Sequence, residues 1–586
     1  MAAIISEKFR IFNAKQFLES LGEGANDADT DRTRMYFFVG RSARWDSYLE
    51  IFNVSGSFQV GETVSGGGFS GVVAEVHSNC LLLNSILPTP TSSPAFGTTI
   101  TGGTSGETAK SGVYRYATEE APPAPLDNQS EKKDIFNELI AAKRITSPFA
   151  RLVVPRYNWN LTLNPKFDMY RPNYSPTPGG GGAIGKQTAL GSTSLSGAKY
   201  YVMNSQYEVF KCLYNGETPG FPTGQNATYE PSSQPVGGQG TFANGIYKEP
   251  SGTAGYIWKH MFTLPTGDVL SFLSSDFMPV AAVGESSRVS VEAAAVDGSI
   301  DVAVVRDAGS ALPAAATLYT AVQGDGSGAI VKFTTGSNGE VTSAEIEAVG
   351  SGYTYGSVIL EDGKVFTDVA LTAAASSFNG TASIEAIISP RGGHGAHAED
   401  ELFAKRIMTS IRLTYDEGQG DFPVDNDFRR IGIIQDPYEY GSTTFASAGT
   451  LRGTKVAKVN GATADYVVDE VITQTVAGGT AKGTVVSWDS SNGILKYFQT
   501  PTLHADSGVV RAFESNAANS IDGGISTASG TVDTSQSTPL ADISFTGGLA
   551  SPELEPNSGE VVYIENRRQI TRAPDQIEDI KLVIEF

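Results

Sequence analysis

Apolar and polar residues alternate along most of this chain, and such alternation predicts β-strands. The clearest case is IKLVIEF, in which one face holds Ile580, Leu582, Ile584 and Phe586. We expect these residues to form a core strand, because a terminal segment otherwise frays. The apolar stretch EVVYIEN (560–566) precedes it across the turn-like RRQITRAPDQ (567–576), and we expect the two stretches to pair.

Helical periodicity is scarce, and the pattern predicts two short helices. In FNAKQFLESLGEG (12–24), Asn13 can cap the start of a helix and Gly22 suits its end. The apolar face of this helix consists of Phe17, Leu18 and Leu21. The second helix is expected over SEKKDIFNELIAAKRI (130–145), with an apolar stripe of Ile135, Phe136, Leu139 and Ile140.

Three stretches rich in Gly, Ser and Thr differ in composition from the rest of the chain. Residues 58–76 and 466–486 share a plan: an aromatic start, a Glu and then an aliphatic residue, a Gly-rich turn and a β-branched strand. This plan predicts two copies of one small β module. A third stretch, 286–387, predicts a separate β module, and low-complexity loop is the alternative for all three.

Length and charge narrow the class of protein. A chain of 586 residues exceeds what one core usually supports, so about three to five domains are expected. The net charge of −22 argues against a nucleic-acid partner, which requires basic patches. Apolar runs are too short for membrane insertion, and MAAIISEKFRIF does not resemble a secretion leader. Cys80 and Cys212 make no disulfide framework.

Two motifs suggest chemistry, and in both cases a loop is the favoured interpretation. GGGAIGKQT (180–188) nearly matches a phosphate-binding loop, but Gln187 stands where a metal-binding Ser or Thr belongs. In GGHGAHAEDE (392–401), a metal could be held by His394, His397, Glu399, Asp400 and Glu401. This segment lacks a second pair of ligands at a spacing typical of metal sites, so a turn between strands is the simpler interpretation.

The remaining candidates for catalysis are weaker still. Cys80 and Cys212 have no neighbouring base, and we expect them to be buried packing thiols. Acidic pairs such as Glu578–Asp579 are common, and the sequence cannot show two carboxylates converging as a glycosidase requires. We therefore predict no catalytic residue, no cofactor and no metal site.

Seven segments, in order, resemble a known family of phage structural proteins. They are KFRIFNAKQFLESLG (8–22), YFFVGRSARWDS (36–47), LVVPRYNWN (152–160), YEVFKCLYN (207–215), GYIWKHMFTLP (255–265), NDFRRIGIIQDP (426–437) and YIENRRQITRAPDQIEDIKLVIEF (563–586). The chain is similar in these segments to the baseplate wedge protein, gene product eight, of T-even-like contractile-tailed bacteriophages. Each segment alone is a weak match, and their shared order carries the resemblance.

The resemblance implies a mainly β fold: a β-sandwich core with two small loop helices, and about three β modules inserted in surface loops. The implied core comprises residues 1–48, 111–285, 388–453 and 549–586. The implied insertions are 49–110, 286–387 and 454–548, the last similar to the first. Decorated versions of this kind resemble those of phages that infect cyanobacteria.

The family also implies a role and partners. The expected protein is a virion subunit and no enzyme: a homodimer that binds other wedge proteins, scaffolds baseplate assembly and supports its rearrangement at host attachment. It would be made and assembled in the host cytoplasm and reside in the tail baseplate. Two alternatives remain open: a receptor-binding adhesin of the tail, and a polysaccharide-degrading spike.

Six arginines and one tryptophan are candidates for an interface between subunits. They are Arg41, Arg44, Trp45, Arg429, Arg430, Arg567 and Arg568. Two alternatives stay open for them: Trp45 could belong to the core at a strand end, and the arginines could pair with carboxylates of their own chain. We expect Trp159 and Trp258 to lie in the core.

Overall fold

The computed structural model of the protein describes residues 4–23, 33–87, 93–160, 165–171, 192, 194–218, 221, 223–250, 252–413, 428–569 and 578–586. Strands dominate these residues and helices are few, so the prediction of a mainly β chain is confirmed. The chain divides into two compact units. The first unit comprises Met1–Leu18, Ala150–Ser410 and Lys581–Phe586, and the second comprises Glu19–Phe149 and Ile411–Ile580.

Six α-helices lie in the described part of the chain. They are α1 (Glu7–Glu23), α2 (Gln129–Asn137), α3 (Thr266–Phe272), α4 (Ser286–Ala293), α5 (Ala398–Glu401) and α6 (Pro501–His504). The first two correspond to the predicted helices, with different bounds. Because α1 begins at Glu7, Asn13 lies inside it and does not cap it. Asn128 caps α2 through its side chain, which accepts from the Glu131 N–H at 2.8 Å.

The second unit contains a five-stranded antiparallel sheet, which we call the central sheet. Its order is β24 (Thr450–Arg452), β8 (Leu139–Ile145), β1 (Met35–Gly40), β23 (Arg430–Gln435) and β34 (Glu560–Asn566). Strand β1, MYFFVG, is buried at every position because it has a neighbour on each side and both faces are covered. Leu139 and Ile140, predicted as helical, belong to β8: pairing with β1 overrides their local preference.

Six strands of the second unit close into a ring, which we call the first barrel. They are β2 (Ser47–Phe52), β3 (Thr63–Gly66), β4 (Phe69–Val76), β5 (Cys80–Leu87), β6 (Thr99–Gly102) and β7 (Thr108–Arg115). Around the ring the order is β2-β5-β4-β3-β6-β7. Strand β2 alternates buried and half-buried residues, and its inward side chains Leu49 and Ile51 join the barrel core. Because β2 pairs with β7, the barrel begins and ends at adjacent points.

A second ring, the second barrel, has the same plan. Its strands are β25 (Lys455–Asn460), β26 (Val471–Val476), β27 (Gly479–Asp489), β28 (Ile494–Phe498), β31 (Ser520–Gly523) and β32 (Ser529–Val532). The order β25-β28-β27-β26-β31-β32 closes into a ring because β25 pairs with β32 as well as with β28. A short hairpin, β29 (Ala505–Asp506) with β30 (Val509–Val510), and strand β33 (Leu549–Ala550) accompany it. The two stretches that share a sequence plan therefore share a strand order.

One buried carboxylate recurs at the same place in both barrels. Glu62 accepts backbone N–H bonds at 2.7, 3.0 and 2.8 Å from Gln59, Thr104 and Ser105. Glu470 accepts the corresponding bonds at 2.7, 2.9 and 2.8 Å from Val467, Ile525 and Ser526. In each barrel the serine hydroxyl also donates to the carboxylate. These bonds lower the pKa of both carboxyls against the opposing effect of burial.

The first unit contains two further antiparallel sheets. One has the order β10 (Tyr201–Met203), β11 (Glu208–Tyr214), β14 (Ile257–Thr263), β13 (Ile246–Lys248) and β12 (Thr241–Ala243). Most of the other also lies in this unit, in the order β15 (Phe277–Pro279), β9 (Ala150–Pro155), β22 (Arg406–Leu413) and β35 (Glu578–Glu585). Trp258 is fully buried in the first of these sheets, whereas Trp159 is half-buried and stacks on Phe167.

The position of β35 corrects one prediction. This strand lies beside β22 and does not pair with β34, which forms the edge of the central sheet. Ile580 and Leu582 are buried as expected, but Ile584 and Phe586 are only half-buried. The Phe586 ring packs against Phe17 of α1, with ring centroids 5.5 Å apart.

Residues 300–388 of the first unit form the remaining strands. Two pair with each other: β16 (Ile300–Ser310) and β21 (Thr381–Ile388). Four make a sheet in the order β19 (Val341–Ser351), β18 (Ser327–Thr335), β17 (Thr317–Gly324) and β20 (Gly356–Val358). One apolar cluster that includes Ile300, Val331 and Phe333 joins the two groups, so this stretch has a core of its own.

Candidate functional site

Trp45 lies buried in the loop between β1 and β2, at the centre of the predicted interface residues. Arg41 opens this loop with a left-handed φ of 56°, and its backbone N–H donates to the Glu138 carbonyl at 2.9 Å. The Trp45 backbone N–H donates to Glu119 at 2.8 Å, and its Nε1–H donates to the Arg567 carbonyl at 2.8 Å. Through these two bonds Trp45 connects its own loop with the segments that contain Glu119 and Arg567.

Two guanidinium groups lie over the Trp45 ring. The Arg41 group is 4.0 Å from the ring centroid, and that of Arg430 is 5.6 Å away. Both distances lie within the range of a cation–π contact. Glu138 completes the arrangement, because it accepts from Arg41 at 2.7 Å and from Arg430 at 3.4 Å.

Arg430, the first residue of β23, and Arg429 just before it are both buried and paired within the chain. Arg429 donates through Nε to both oxygens of Glu119, at 2.9 and 3.1 Å. Arg430 donates to Glu131 at 2.5 Å and to Asn566 at 2.9 Å. Of the two alternatives left open by the sequence, the structure therefore shows internal carboxylate partners for Arg429 and Arg430, and a buried position for Trp45.

Trp45, the arginines around it and their carboxylate partners form a buried cluster that we call the nucleus. Three of the predicted residues lie at its exposed border. The Arg44 side chain is 58 % exposed and lies 3.8 Å from Asp46. Arg567 is partly exposed beside Glu565 at 3.4 Å, and Arg568 is exposed. Because the Arg567 carbonyl binds Trp45, these cations sit next to the loop that carries Arg44. We call Arg44, Arg567 and Arg568 the arginine rim.

Crowded carboxylates give this region unusual electrostatics. Burial, reinforced by the neighbouring Glu138, raises the pKa of Asp134 to about 6. Burial also raises the pKa of Asp46, although the Arg44 guanidinium opposes that change. The nucleus consists of charges that neutralise one another, and the rim adds exposed positive charge to a strongly acidic chain. Such an arrangement is suited to contact with an acidic surface.

The carboxylates of this site were missed by the sequence analysis, although α2 carried a signal. Glu131, Ile135 and Glu138 stand four and three residues apart, which places both carboxylates beside the apolar stripe of the helix. A carboxylate on a buried face requires a cationic partner. Glu119 offered no comparable pattern, because it lies in the turn region after β7.

The segment 392–401, considered as a metal site, has its carboxylates occupied by cations. Glu401 accepts from the fully buried Lys211 ammonium and from the Gly395 N–H at 2.8 Å. Glu399 lies 2.7 Å from Arg288, and Asp400 lies 2.9 Å from Lys15. Among the residues that the structure describes, no three His, Cys, Asp or Glu side chains are grouped to hold a metal ion.

The two histidines of this segment differ in burial, since His394 is buried and His397 is exposed. His394 is buried, and burial together with Lys211 and Lys259 holds its pKa well below the usual value, so the ring is neutral. Its Nε2 lies 3.8 Å from Asp301. His397 precedes α5 and donates its backbone N–H to Glu401 at 3.2 Å. The segment is fixed by ion pairs and backbone bonds.

Two further candidates are the phosphate-loop-like segment and the two cysteines. The phosphate-loop-like residues 180–188, with Lys186 and Gln187, lie outside the described residues. Cys80 and Cys212 are free and buried, as expected for packing thiols. Burial raises the pKa of Cys80 to about 12 and raises that of Cys212 as well, which makes both poor nucleophiles.

Comparison with known proteins does not add a family. No protein-family model matches the sequence, and no curated protein matches it at a significant level. Within the described ranges, no helix is both long enough and apolar enough to cross a membrane.

Proposed function

We propose that this protein is a structural subunit of the baseplate wedge of a contractile phage tail. It acts as a homodimer that binds other wedge proteins, scaffolds wedge assembly and supports the rearrangement of the baseplate at host attachment. The observation that carries the proposal is the resemblance of seven segments in one order along the chain. In this proposal the protein acts by binding its partners and catalyses no reaction.

The position of those segments supports the proposal. They contribute α1, β1, β9, β11, β14, β23, β34 and β35. Strands β1, β23 and β34 are neighbours in one sheet although they come from opposite ends of the chain. The Gly-rich stretches instead form the two barrels and the module at 300–388, each around its own core. This division is what insertions into an older core would produce.

The arginine rim is the contact that we assign to a wedge partner. An acidic chain repels other acidic proteins, and exposed guanidinium groups reduce that repulsion and bind carboxylates in a bidentate manner. The nucleus beneath the rim is already paired, so it fixes the position of the rim, while the side chains of Arg44 and Arg568 are exposed and can reach a partner.

Native mass spectrometry tests this function. The purified protein should be a dimer, and it should join a larger complex when mixed with the wedge proteins produced by the same phage. Arg44→Glu with Arg568→Glu should weaken complex formation without lowering thermal stability, whereas Lys133→Glu, at another exposed cation, serves as the control. A monomer that joins no complex would contradict the proposal, as would a trimer that cleaves a glycan.

A receptor-binding adhesin is the second candidate, and one feature favours it. A groove of about 460 Å³ runs along residues 358–362 and 378–382. Phe378, Glu361, Asp362 and Asn379 are among the residues that line it. Its volume falls in the range of small-ligand sites. Retention of the protein on host cells, lost with Asp362→Ala and Asn379→Ala, would favour this role over the wedge role.

A further inference from the structure

A lysine and a glutamate meet in the interior of the first unit. Lys211 of β11 has no exposed surface, and its side-chain nitrogen donates to the buried Glu401 carboxylate of α5. The ring of Tyr170, also buried, lies over the same nitrogen, which is 4.5 Å from the ring centroid. Both reactive groups are therefore enclosed by protein.

The identity of the cation distinguishes this pair from other buried ion pairs of the chain. Glu131, Glu217 and Glu399 are paired with arginines. A guanidinium does not lose its proton in proteins, whereas a buried lysine does so readily. Burial lowers the pKa of Lys211 although Glu401 opposes that change, which makes the neutral amine, a nucleophile, more accessible at this position.

The two oxygens of the Glu401 carboxylate have different partners. Oε1 accepts from the backbone N–H groups of Gly395 at 2.8 Å and His397 at 3.2 Å. Oε2 accepts from Lys211, and the Gly395 N–H is also 3.1 Å away from it. Backbone N–H groups directed at Oε1 stabilise the negative charge that forms there when an amine adds to the carboxyl carbon. Oε2, beside the amine, is the oxygen placed to take up its protons.

Enclosure favours the loss of both charges. A buried ion pair has given up the hydration of two ions, whereas an amide is neutral. The other two charged groups of this cluster, Lys259 and Asp301, compensate each other, so no charge would be left without a partner. Well-oriented groups within one molecule reach effective concentrations of about 10⁵–10⁸ M, so a condensation that is slow between free side chains can proceed inside a fold.

We propose that Lys211 and Glu401 condense into an isopeptide bond. Lys211 Nζ forms a bond to the carboxyl carbon Cδ of Glu401, the Cδ–Oε2 bond breaks, and two ammonium protons leave with Oε2 as water. Oε1 becomes the amide oxygen, and no oxidant or other reactant is consumed. The bond closes a loop from β11 to α5 that contains residues 300–388, and this modification does not depend on the proposed baseplate role.

Mass spectrometry of the full chain tests the proposal. Under denaturing conditions the intact mass should be lower than that of the sequence by one water molecule. A tryptic digest should contain a branched peptide that joins residues 200–248 to residues 392–405, because trypsin does not cleave after an acylated Lys211. Fragmentation of this peptide should assign the link to Lys211 and Glu401. The full sequence mass, with complete cleavage after Lys211, would overturn the proposal.

Two variants show whether burial and the amine are both required. Lys211→Arg keeps a cation beside Glu401 but removes the amine, so its mass should equal that of its sequence. Lys15→Arg is the matched control, because Lys15 lies 2.9 Å from Asp400 in a partly exposed pair, and the mass loss should persist. The branched peptide of the parent chain decides the question even if Lys211→Arg does not fold. A mass loss that persists in a folded Lys211→Arg protein would place the lost water elsewhere and overturn the proposal, as would a link from Lys15 to Asp400 instead.

Discussion

Both units of this protein contain buried ion pairs whose members lie far apart in the sequence. Arg430 of the central sheet reaches Glu131 and Glu138, whereas in the first unit Glu217 binds both Arg171 and Arg306. Removal of one member of a buried pair typically costs about 3–5 kcal/mol, because its partner stays charged without compensation. Such pairs make the geometry of the site sensitive to single substitutions.

Asp134 gives the first prediction, because it is an acid that the fold disfavours in its charged form. Its pKa is raised to about 6, so the stability it contributes is complete below its ordinary pKa and is lost as the pH rises through about 6. Asp134→Asn should therefore raise the free energy of unfolding at pH 7 by up to about 3 kcal/mol and change it little at pH 4. Urea unfolding at both pH values measures this.

The exposed Asp127 supplies the control for that experiment, since Asp127→Asn should have a small effect at either pH. An equal gain from Asp134→Asn at pH 4 and pH 7 would show that the effect is not due to ionisation.

The hydrogen bonds that the two barrels share at Glu62 and Glu470 give the second prediction. Glu62→Gln and Glu470→Gln should each destabilise their own barrel by about 1.5–3 kcal/mol, because an amide cannot accept all the bonds that the carboxylate accepts. The lowered pKa values mean that this stability is present above about pH 4.5 and is lost as the pH falls through the folded pKa. Acid unfolding followed by circular dichroism should show a smaller dependence on pH in each variant.

Glu361→Gln, at a carboxylate exposed to solvent, is the matched control and should behave as the parent protein. If only one of the two barrel variants is destabilised, the carboxylates are not equivalent despite their shared bonds.

At the residue scale the sequence could suggest which side chains matter, but not their partners. Arg41, Trp45 and Arg430 were selected by residue type, and they do meet. Their carboxylate partners come from α2, from the residue just after it and from the turn that follows β7, and only tertiary packing brings them together. Glu62 was visible in the repeated plan, but the loop that surrounds it was not, because Thr104 and Ser105 lie on a distant hairpin.

Among the elements, the strands were more predictable than their neighbours in the sheets. The alternation in IKLVIEF correctly indicated β35, because a period of two reports directly on burial. Its partner was wrong, since adjacency in sequence is only a tendency and the chain between β34 and β35 connects two different sheets. Similarly, LIAAKRI followed a helix closely enough to extend its pattern, and only the neighbouring β1 selects the extended form.

Strand β35 gives the third prediction. Because Leu582 is more deeply buried than Phe586, we expect the larger loss of stability from a substitution at Leu582. Leu582 is buried, so Leu582→Ala should lower the free energy of unfolding by about 2–5 kcal/mol. Glu585 lies 2.9 Å from Arg406 and 3.3 Å from Lys405 but is partly exposed, and Glu585→Ala should cost less than about 1 kcal/mol. Thermal melts of both variants distinguish the two effects.

The half-buried Phe586 should give an intermediate loss when replaced by Ala, because its ring still packs on Phe17. A Leu582→Ala protein that melts like the parent would mean that this strand does not contribute to the core.

Across the whole molecule, the chain contains both sheets built from distant segments and barrels that each close within one continuous stretch, which is the arrangement that the proposed insertions would produce. Each barrel closes its own ring and buries its own apolar cluster, whereas the central sheet draws strands from both ends of the second unit. The sequence indicated this division through composition alone, because Gly-rich stretches with short strands differ from the apolar strands of the core. It could not indicate ring closure, which depends on pairing between β2 and β7.

Ring closure leads to the last prediction, which concerns removal of a whole barrel. Tyr48 pairs with Arg115, so replacing Leu49–Tyr114 with Asn-Gly joins two residues that are already neighbours through a tight hairpin. The rest of the second unit keeps its central sheet and should still unfold cooperatively. The equivalent replacement of Asn460–Thr531 should be far more damaging, although Val459 and Val532 are also paired.

The difference arises because the second barrel supplies part of another core. Ile494 of β28 packs in one cluster with Ile543 and Phe545, and β25 also pairs with β33. Loss of that packing costs about 2–5 kcal/mol for Ile494 alone, a large fraction of the roughly 5–15 kcal/mol that stabilises a domain. Calorimetry of the two excised proteins decides the matter: equal melting of both would show that the second barrel is as separable as the first.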